Sequence, residues 1–99
     1  MGSPYGRRVP RSHRRVMLVL LTDAADLGGY TICRAAGIGA GSAYPALARL
    51  EGLGWADSEW ETPEPDNRPR RRFYRLTPDG RARVMALLGL AVREEVSPP

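Results

Sequence analysis

Residues 28–55 read GGYTICRAAGIGAGSAYPALARLEGLGW. The stretch divides into a short helix over Tyr30 to Ala36, a turn over Gly37 to Gly41 and a second helix over Ser42 to Leu53, which is a helix-turn-helix pattern. Gly37 supplies permissive backbone at the turn, Ile38 plugs the space between the helices, and small Cys33 and Ala43 let them approach closely. Ser42 is a natural N-cap. Pro45 then falls in the first turn, where its missing N–H has no intrahelical partner to lose. Leu47, Leu50 and Leu53 repeat at helical spacing and must face the core, leaving Tyr44, Pro45, Ala48 and Arg49 on the outward side. Gly52 and Gly54 close the helix.

Upstream, residues 1–11 are rich in proline, glycine and arginine without hydrophobic periodicity and are expected to form a flexible basic arm. Ser12 can cap a first helix over about residues 13–25, and its six consecutive apolar residues, Val16 to Leu21, cover every side of it. One neighbouring layer cannot bury them all. Downstream, Trp55 to Glu61 and Arg70 to Thr77 read as strands joined by TPEPDNRP, a hairpin with a stiff tip. Thr77 and Pro78 open a last helix, expected over 78–95 and again apolar or glycine on all faces from Val84 to Val92, with residues 96–99 as tail. The expected fold is mainly α with a small β-hairpin, in the order α-α-α-β-β-α. It occupies residues 12–95 as a winged helix-turn-helix domain.

The inventory narrows the chemistry. Ninety-nine residues, 42% of them hydrophobic, make one small domain. Cys33 is the one cysteine, so no intramolecular disulfide forms, and it is expected to be buried and inert. With His13 as the one histidine, neither a Cys/His zinc site nor a convincing Ser/His/Asp triad can be assembled, and His13 is expected to be solvated or DNA-facing. No enzyme activity, metal or cofactor is expected. The longest apolar run is six residues, against the roughly 18 needed to span a membrane, and the chain reads as cytoplasmic.

Charge is distributed in blocks. Residues 1–22 hold five arginines and no acid (+5), residues 23–67 two arginines and eight acids (−6), and residues 68–99 eight arginines and three acids (+5). Two separated basic segments can grip a polyanion from two sides, and double-stranded DNA is the obvious partner. All fifteen basic residues are arginine, which suits bidentate phosphate or guanine contacts and equally reflects a GC-rich genome.

The helix, helix-turn-helix, hairpin and helix, together with the wording of several motifs, resemble the PadR family of bacterial transcriptional regulators. The segments that carry the resemblance are Gly29-Tyr30-Thr31-Ile32, then Ser42-Ala43-Tyr44-Pro45-Ala46-Leu47-Ala48-Arg49-Leu50-Glu51 running into Gly54, then Ser58-Glu59-Trp60-Glu61, and Arg70-Arg71-Arg72-Phe73-Tyr74-Arg75-Leu76-Thr77-Pro78-Asp79-Gly80. They span about residues 16–90. The Tyr-Pro-x-Leu-x-x-Leu-Glu and Phe-Tyr-Arg-Leu-Thr-x-x-Gly segments are specific as a pair and weak singly. The chain departs from the family in a shorter segment between Tyr30 and Ser42 and in a C-terminal helix without the long dimerisation extension.

The resemblance implies a sequence-specific DNA-binding regulator, a repressor acting as a homodimer on a palindromic operator. Ser42, Tyr44, Pro45 and Arg49 would read or grip the major groove, Arg68, Arg70, Arg71 and Arg72 would serve from the wing, and Arg14 and Arg15 from the first basic block. Each has a plainer reading. Tyr44 can pack its ring on the hairpin, Arg49 can pair with an acid such as Asp26, and the wing arginines can pair with Asp57, Glu59 and Glu61. Trp55, Trp60 and Tyr74 line an aromatic pocket or belong to the core. Dimerisation is expected through the all-round apolar first and last helices, at Val16, Leu20, Leu87 and Leu90. A small-molecule effector is compatible with the chain but unsupported by any motif. Alternatives are a winged-helix protein-interaction module, favoured by the acidic central block, and a DNA-architectural or recombination-accessory protein of a mobile element, compatible with the short form and basic arm.

Overall fold

The computed structural model describes residues 3–6, 8–24, 27–62 and 71–90. Its elements are α1 (Arg11–Leu21), α2 (Gly29–Ala36), α3 (Ala40–Gly52), β1 (Ala56–Trp60), β2 (Arg72–Leu76) and α4 (Pro78–Leu87). The order is the expected one, α-α-α-β-β-α. Among the described residues no helix is long and apolar enough to cross a membrane.

Packing follows from the apolar stripes. Val16, Met17, Val19 and Leu20 of α1 meet Ile32 and Ala36 of α2 and Ala43, Ala46, Leu47 and Leu50 of α3 in one core, which Trp55, Ala56, Tyr74 and Val84 close from the hairpin and α4. Alanines at 36, 43 and 46 keep α2 and α3 close, while the large aliphatic side chains fill the space toward α1. The first helix therefore buries most of its apolar run inside one chain. Val16 and Leu20, expected at a dimer interface, are fully buried in this core and present nothing to a second copy. Leu18 is the residue of the run left exposed, Leu87 is half-buried against the core, and Leu90 is exposed.

The local starts and stops differ from expectation in instructive places. Gly37 takes a left-handed φ of 71° and ends α2, with its N–H and that of Ile38 satisfying the last carbonyls. The turn then needs only Ile38 and Gly39, so α3 begins at Ala40 with Gly39 as its N-cap. Ser42 consequently lies inside the first turn rather than capping it. Pro45 moves into the second turn, where its ring deprives the Gly41 carbonyl of its helical donor, and the exposure of Gly41 leaves that carbonyl open to water. Thr77 does cap α4, its hydroxyl accepting from the Gly80 N–H at 2.9 Å with Pro78 at the first position. That helix ends at Leu87, well short of residue 95, where Gly89 (φ 71°) reverses the backbone and the Leu90 N–H returns to the Met85 carbonyl. Residues 91–99 lie outside the described residues.

β1 and β2 pair antiparallel, Ala56 opposite Leu76 and Trp60 opposite Arg72. Ser58 and Tyr74 share the face turned to α3, while Asp57 and Glu59 share the outer face with Arg75 and Phe73. The segment before α2 joins the sheet, with Gly28 bridging to Phe73 and the Tyr74 N–H donating to the Leu27 carbonyl at 3.0 Å. The hairpin is thereby registered against the helix-turn-helix from two sides.

Candidate nucleic-acid interface

The exposed side of α3 carries Gly41, Pro45, Ala48 and Gly52 along its centre, with Tyr44 on one edge and Ser42 and Arg49 on the other. Small residues make this a smooth ridge with no long side chain standing between the helix axis and an approaching surface. Both α2 and α3 start on glycine N-caps, Gly28 and Gly39, with no side chain bonded to their first N–H groups. Those helix starts are electropositive.

On the Tyr44 edge the ring lies across the start of α2. A Cβ on Gly29 would run into the Tyr44 hydroxyl, so a side chain there would push the ring aside, and with glycine the ring rests on bare backbone. Tyr44 is half exposed and packs on α2 rather than on the hairpin alone. It forms one wall of an open cleft of about 460 Å³ whose other walls include Gly29, Trp60, Arg71, Arg72 and Tyr74. Of the three aromatics expected in a pocket or the core, Trp55 and Tyr74 prove to be core residues and Trp60 is exposed. Burial pushes the Tyr74 hydroxyl above its ordinary pKa, a shift opposed by the nearby Arg72 charge.

Arg72 does not pair with the acids of the facing strand. Its Nε donates to the Ser58 hydroxyl at 2.8 Å, its Nη2 approaches Glu51 Oε2 at 3.3 Å, and its guanidinium lies 5.3 Å from the Trp60 ring centroid. Ser58 itself donates to Glu51 Oε2 at 2.6 Å. This triad fastens the base of the hairpin to the end of α3 and occupies Arg72, expected from the sequence to reach DNA. Glu51 and Ser58 are the residues that sequence reasoning missed. A signal for Glu51 existed, because a carboxylate in the last turn opposes the helix dipole and calls for a cationic neighbour. The outer wing pairs, Arg75 with Glu59 at 3.4 Å and Arg71 with Glu61 at 3.7 Å, are of the expected kind. Arg68 and Arg70 lie outside the described residues.

The Arg49 edge holds a second correction. The Arg49 guanidinium stacks 4.3 Å from the Tyr5 ring centroid and its Nη2 donates to the Pro4 carbonyl at 2.6 Å. Asp26, its other expected partner, lies outside the described residues. Tyr5 is buried at 7% exposure, tilted against Trp55, with its hydroxyl 3.0 Å from His13 Nδ1. The expected free arm is therefore packed onto the domain at Tyr5, because an aromatic ring and an adjacent guanidinium gain more from stacking than from separate hydration. His13 is half-buried instead of solvated. Burial, with Arg49 adding to it, holds its pKa below the usual histidine value.

Arg15 is likewise engaged, its Nη1 donating to the Ala36 carbonyl at 2.9 Å and completing the end of α2. Arg14 is exposed, as are Arg8 and Arg11. Cys33 is half-buried against the core. Among the described residues no cluster of His, Cys, Asp and Glu could hold a metal ion.

The profile of the Transcriptional regulator PadR-like family matches residues 17–86. No curated protein sequence matches the chain. Among solved structures, a candidate DNA-binding protein from Ralstonia eutropha JMP134 is 24% identical with a TM-score of 0.62, over 81% of this chain and 98% of that one. A MarR-family transcriptional regulator from Silicibacter pomeroyi is 24% identical with a TM-score of 0.63, over 83% of this chain and 51% of its own. The PcaV transcriptional regulator of Streptomyces coelicolor, solved with its natural ligand, is 22% identical with a TM-score of 0.62, over 86% of this chain and 56% of its own. The chain thus spans about half the length of these last two regulators. At these identities the likeness is one of fold.

Proposed function

The chain belongs to the PadR-like family of transcriptional regulators, and on that footing we propose that it represses transcription as a homodimer on a palindromic operator, each copy laying α3 in the major groove. The observation that carries this reading is the exposed ridge of Gly41, Pro45, Ala48 and Gly52, smooth enough for close approach to base edges. Ser42 and Tyr44 border that ridge and supply its hydroxyl groups, and the hairpin flanks it beside the backbone. Arg14 is free to meet phosphate. Arg72 and Arg15 position other elements instead.

The protein-interaction alternative rests on the acidic central block. Glu51, Glu59 and Glu61 each stand beside an arginine, so much of that acidity is cancelled where it borders α3. A duplex therefore meets less repulsion than the sequence suggests.

Dimerisation is proposed through Leu18 and Leu90, the exposed apolar side chains of α1 and of the turn after α4. Burying such side chains contributes about 1.5–3 kcal/mol each before the cost of association. Leu90→Glu is expected to dissociate the dimer in sedimentation velocity, and a wild type that sediments as a monomer at micromolar concentration contradicts the dimer. Selection of bound fragments from the native genome tests the regulator reading itself. It predicts a recurrent inverted repeat among the recovered fragments, and recovery without sequence preference would favour the architectural alternative.

A further inference from the structure

Arg49 and Glu51 are two residues apart on α3, so they project from opposite edges, about 200° around the helix. Glu51 holds the hairpin. On the other edge, the contacts of Arg49 with Pro4 and Tyr5 begin a continuous border. From Tyr5 the chain passes through exposed Arg8 to α1, whose Arg11, Ser12 and Arg15 share a hollow with Gly37 and Ile38 in the turn before α3. Pro4 and Tyr5 thus meet α3 in its second half, and Arg11, Ser12 and Arg15 meet the turn that precedes it.

We propose that Arg49 is a positioning residue. Its guanidinium fastens the chain ahead of α1 to the recognition helix, so that Arg8 and Arg11, the latter at the start of α1, form a basic border opposite the hairpin and take backbone phosphates of duplex DNA. The inference rests on the DNA-binding reading of α3. Four features support it. Arg49 is already spent on a ring and a carbonyl; Tyr5 is buried although it lies ahead of the first helix; the two border arginines are exposed; and no acid lies between residues 1 and 22 to neutralise them. An exposed guanidinium on an electron-rich ring, with one further hydrogen bond, holds a short segment without immobilising it permanently. The border then supplies affinity without sequence information, as contacts to phosphates do.

The test is a fluorescence-anisotropy titration of a mixed-sequence duplex over a range of salt concentrations, with trypsin cleavage after Arg8 followed in the absence of DNA. Arg49→Ala and Tyr5→Ala are each expected to speed that cleavage. Each should also lower the salt slope by about one unit for every phosphate no longer neutralised, or about five- to tenfold in affinity per phosphate at 0.1 M salt. The double variant should bind no worse than either single one, because both break the same joint. Tyr5→Phe, which keeps the ring, should retain the wild-type slope. Arg8→Ala combined with Arg11→Ala alters two exposed side chains and should reproduce the fall in slope with an unchanged melting temperature, which separates the border from any folding defect.

Additive losses of affinity from Arg49→Ala and Tyr5→Ala would overturn the inference by showing that Arg49 touches DNA itself. An unchanged slope in the Arg8, Arg11 variant would overturn the border. Both results leave the wild-type protein binding duplex, whereas a wild type that binds no duplex at low salt removes the DNA-binding reading.

Discussion

On one long edge of α3, Tyr44 and Glu51 are held by α2 and the hairpin; on the other, Arg49 is held by a ring and a carbonyl that precede α1. The first edge is joined by several groups belonging to elements that are themselves part of the core. The second is joined by one guanidinium to a short stretch of chain whose own hold on the core is the Tyr5 ring. Wing and recognition helix should therefore move as a unit, while the N-terminal border should open locally at far lower free energy than the domain unfolds.

The hairpin side is the one whose disruption should cost most. A Cβ at Gly80 would lie inside the Trp55 backbone carbonyl, and backbone cannot step aside as a side chain does. Gly80→Ala is expected to lower the unfolding free energy by about 3 kcal/mol, seen as a lower urea midpoint. Truncating the two edge arginines sharpens the contrast. Arg72→Ala leaves Glu51 and Ser58 without their shared donor at a half-buried site and should cost about 1–2 kcal/mol. Arg49→Ala removes an exposed stacking partner and should cost about 0.5–1 kcal/mol. Reversal of that order in denaturation would mean that the border, not the hairpin, is the firmer support of α3.

A smaller effect concerns pH. His13 has its pKa lowered in the folded chain, so between that value and the unfolded value of about 6.5 the unfolded state binds more protons. Stability is therefore complete above the unfolded value and declines as pH falls through this window toward the folded pKa. The proton arrives next to Arg49 and at the partner of the Tyr5 hydroxyl. His13→Gln should flatten that part of the melting temperature against pH curve. A variant as pH-sensitive as the wild type would place the titrating group elsewhere.

Periodicity is a sound guide wherever a helix buries one stripe. The leucines of α3, the cap at Thr77 and the two strands of the hairpin are all legible because local chemistry and tertiary packing agree there. What is not legible depends on geometry between segments. Tyr5 sits in a proline- and glycine-rich stretch whose composition reads as unstructured, and only the fold brings Arg49 and His13 to it across the chain. Strand pairing alone suggests acids of the opposing strand for Arg72, whereas the pleat turns its side chain to the face where Glu51 waits. Six apolar residues in a row exceed one layer and so point Val16 and Leu20 toward a partner, yet α1 is covered by both α2 and α3. Ser42 loses its capping role to a turn shorter than the glycines suggest. On the outward face of α3, Tyr44, Pro45, Ala48 and Arg49 follow from the leucines opposite, whereas Gly41 and Ser42 join it because the helix starts at Ala40.

The central claim is that this outward face meets DNA, with the two edges serving to place it. Ala48 lies mid-ridge and exposed, so Ala48→Glu sets a carboxylate against the duplex without disturbing the core. Anisotropy titrations on a fragment recovered from the genome should show affinity falling about a hundredfold or more, with an unchanged melting temperature. Binding at wild-type strength by a folded Ala48→Glu protein would contradict the account.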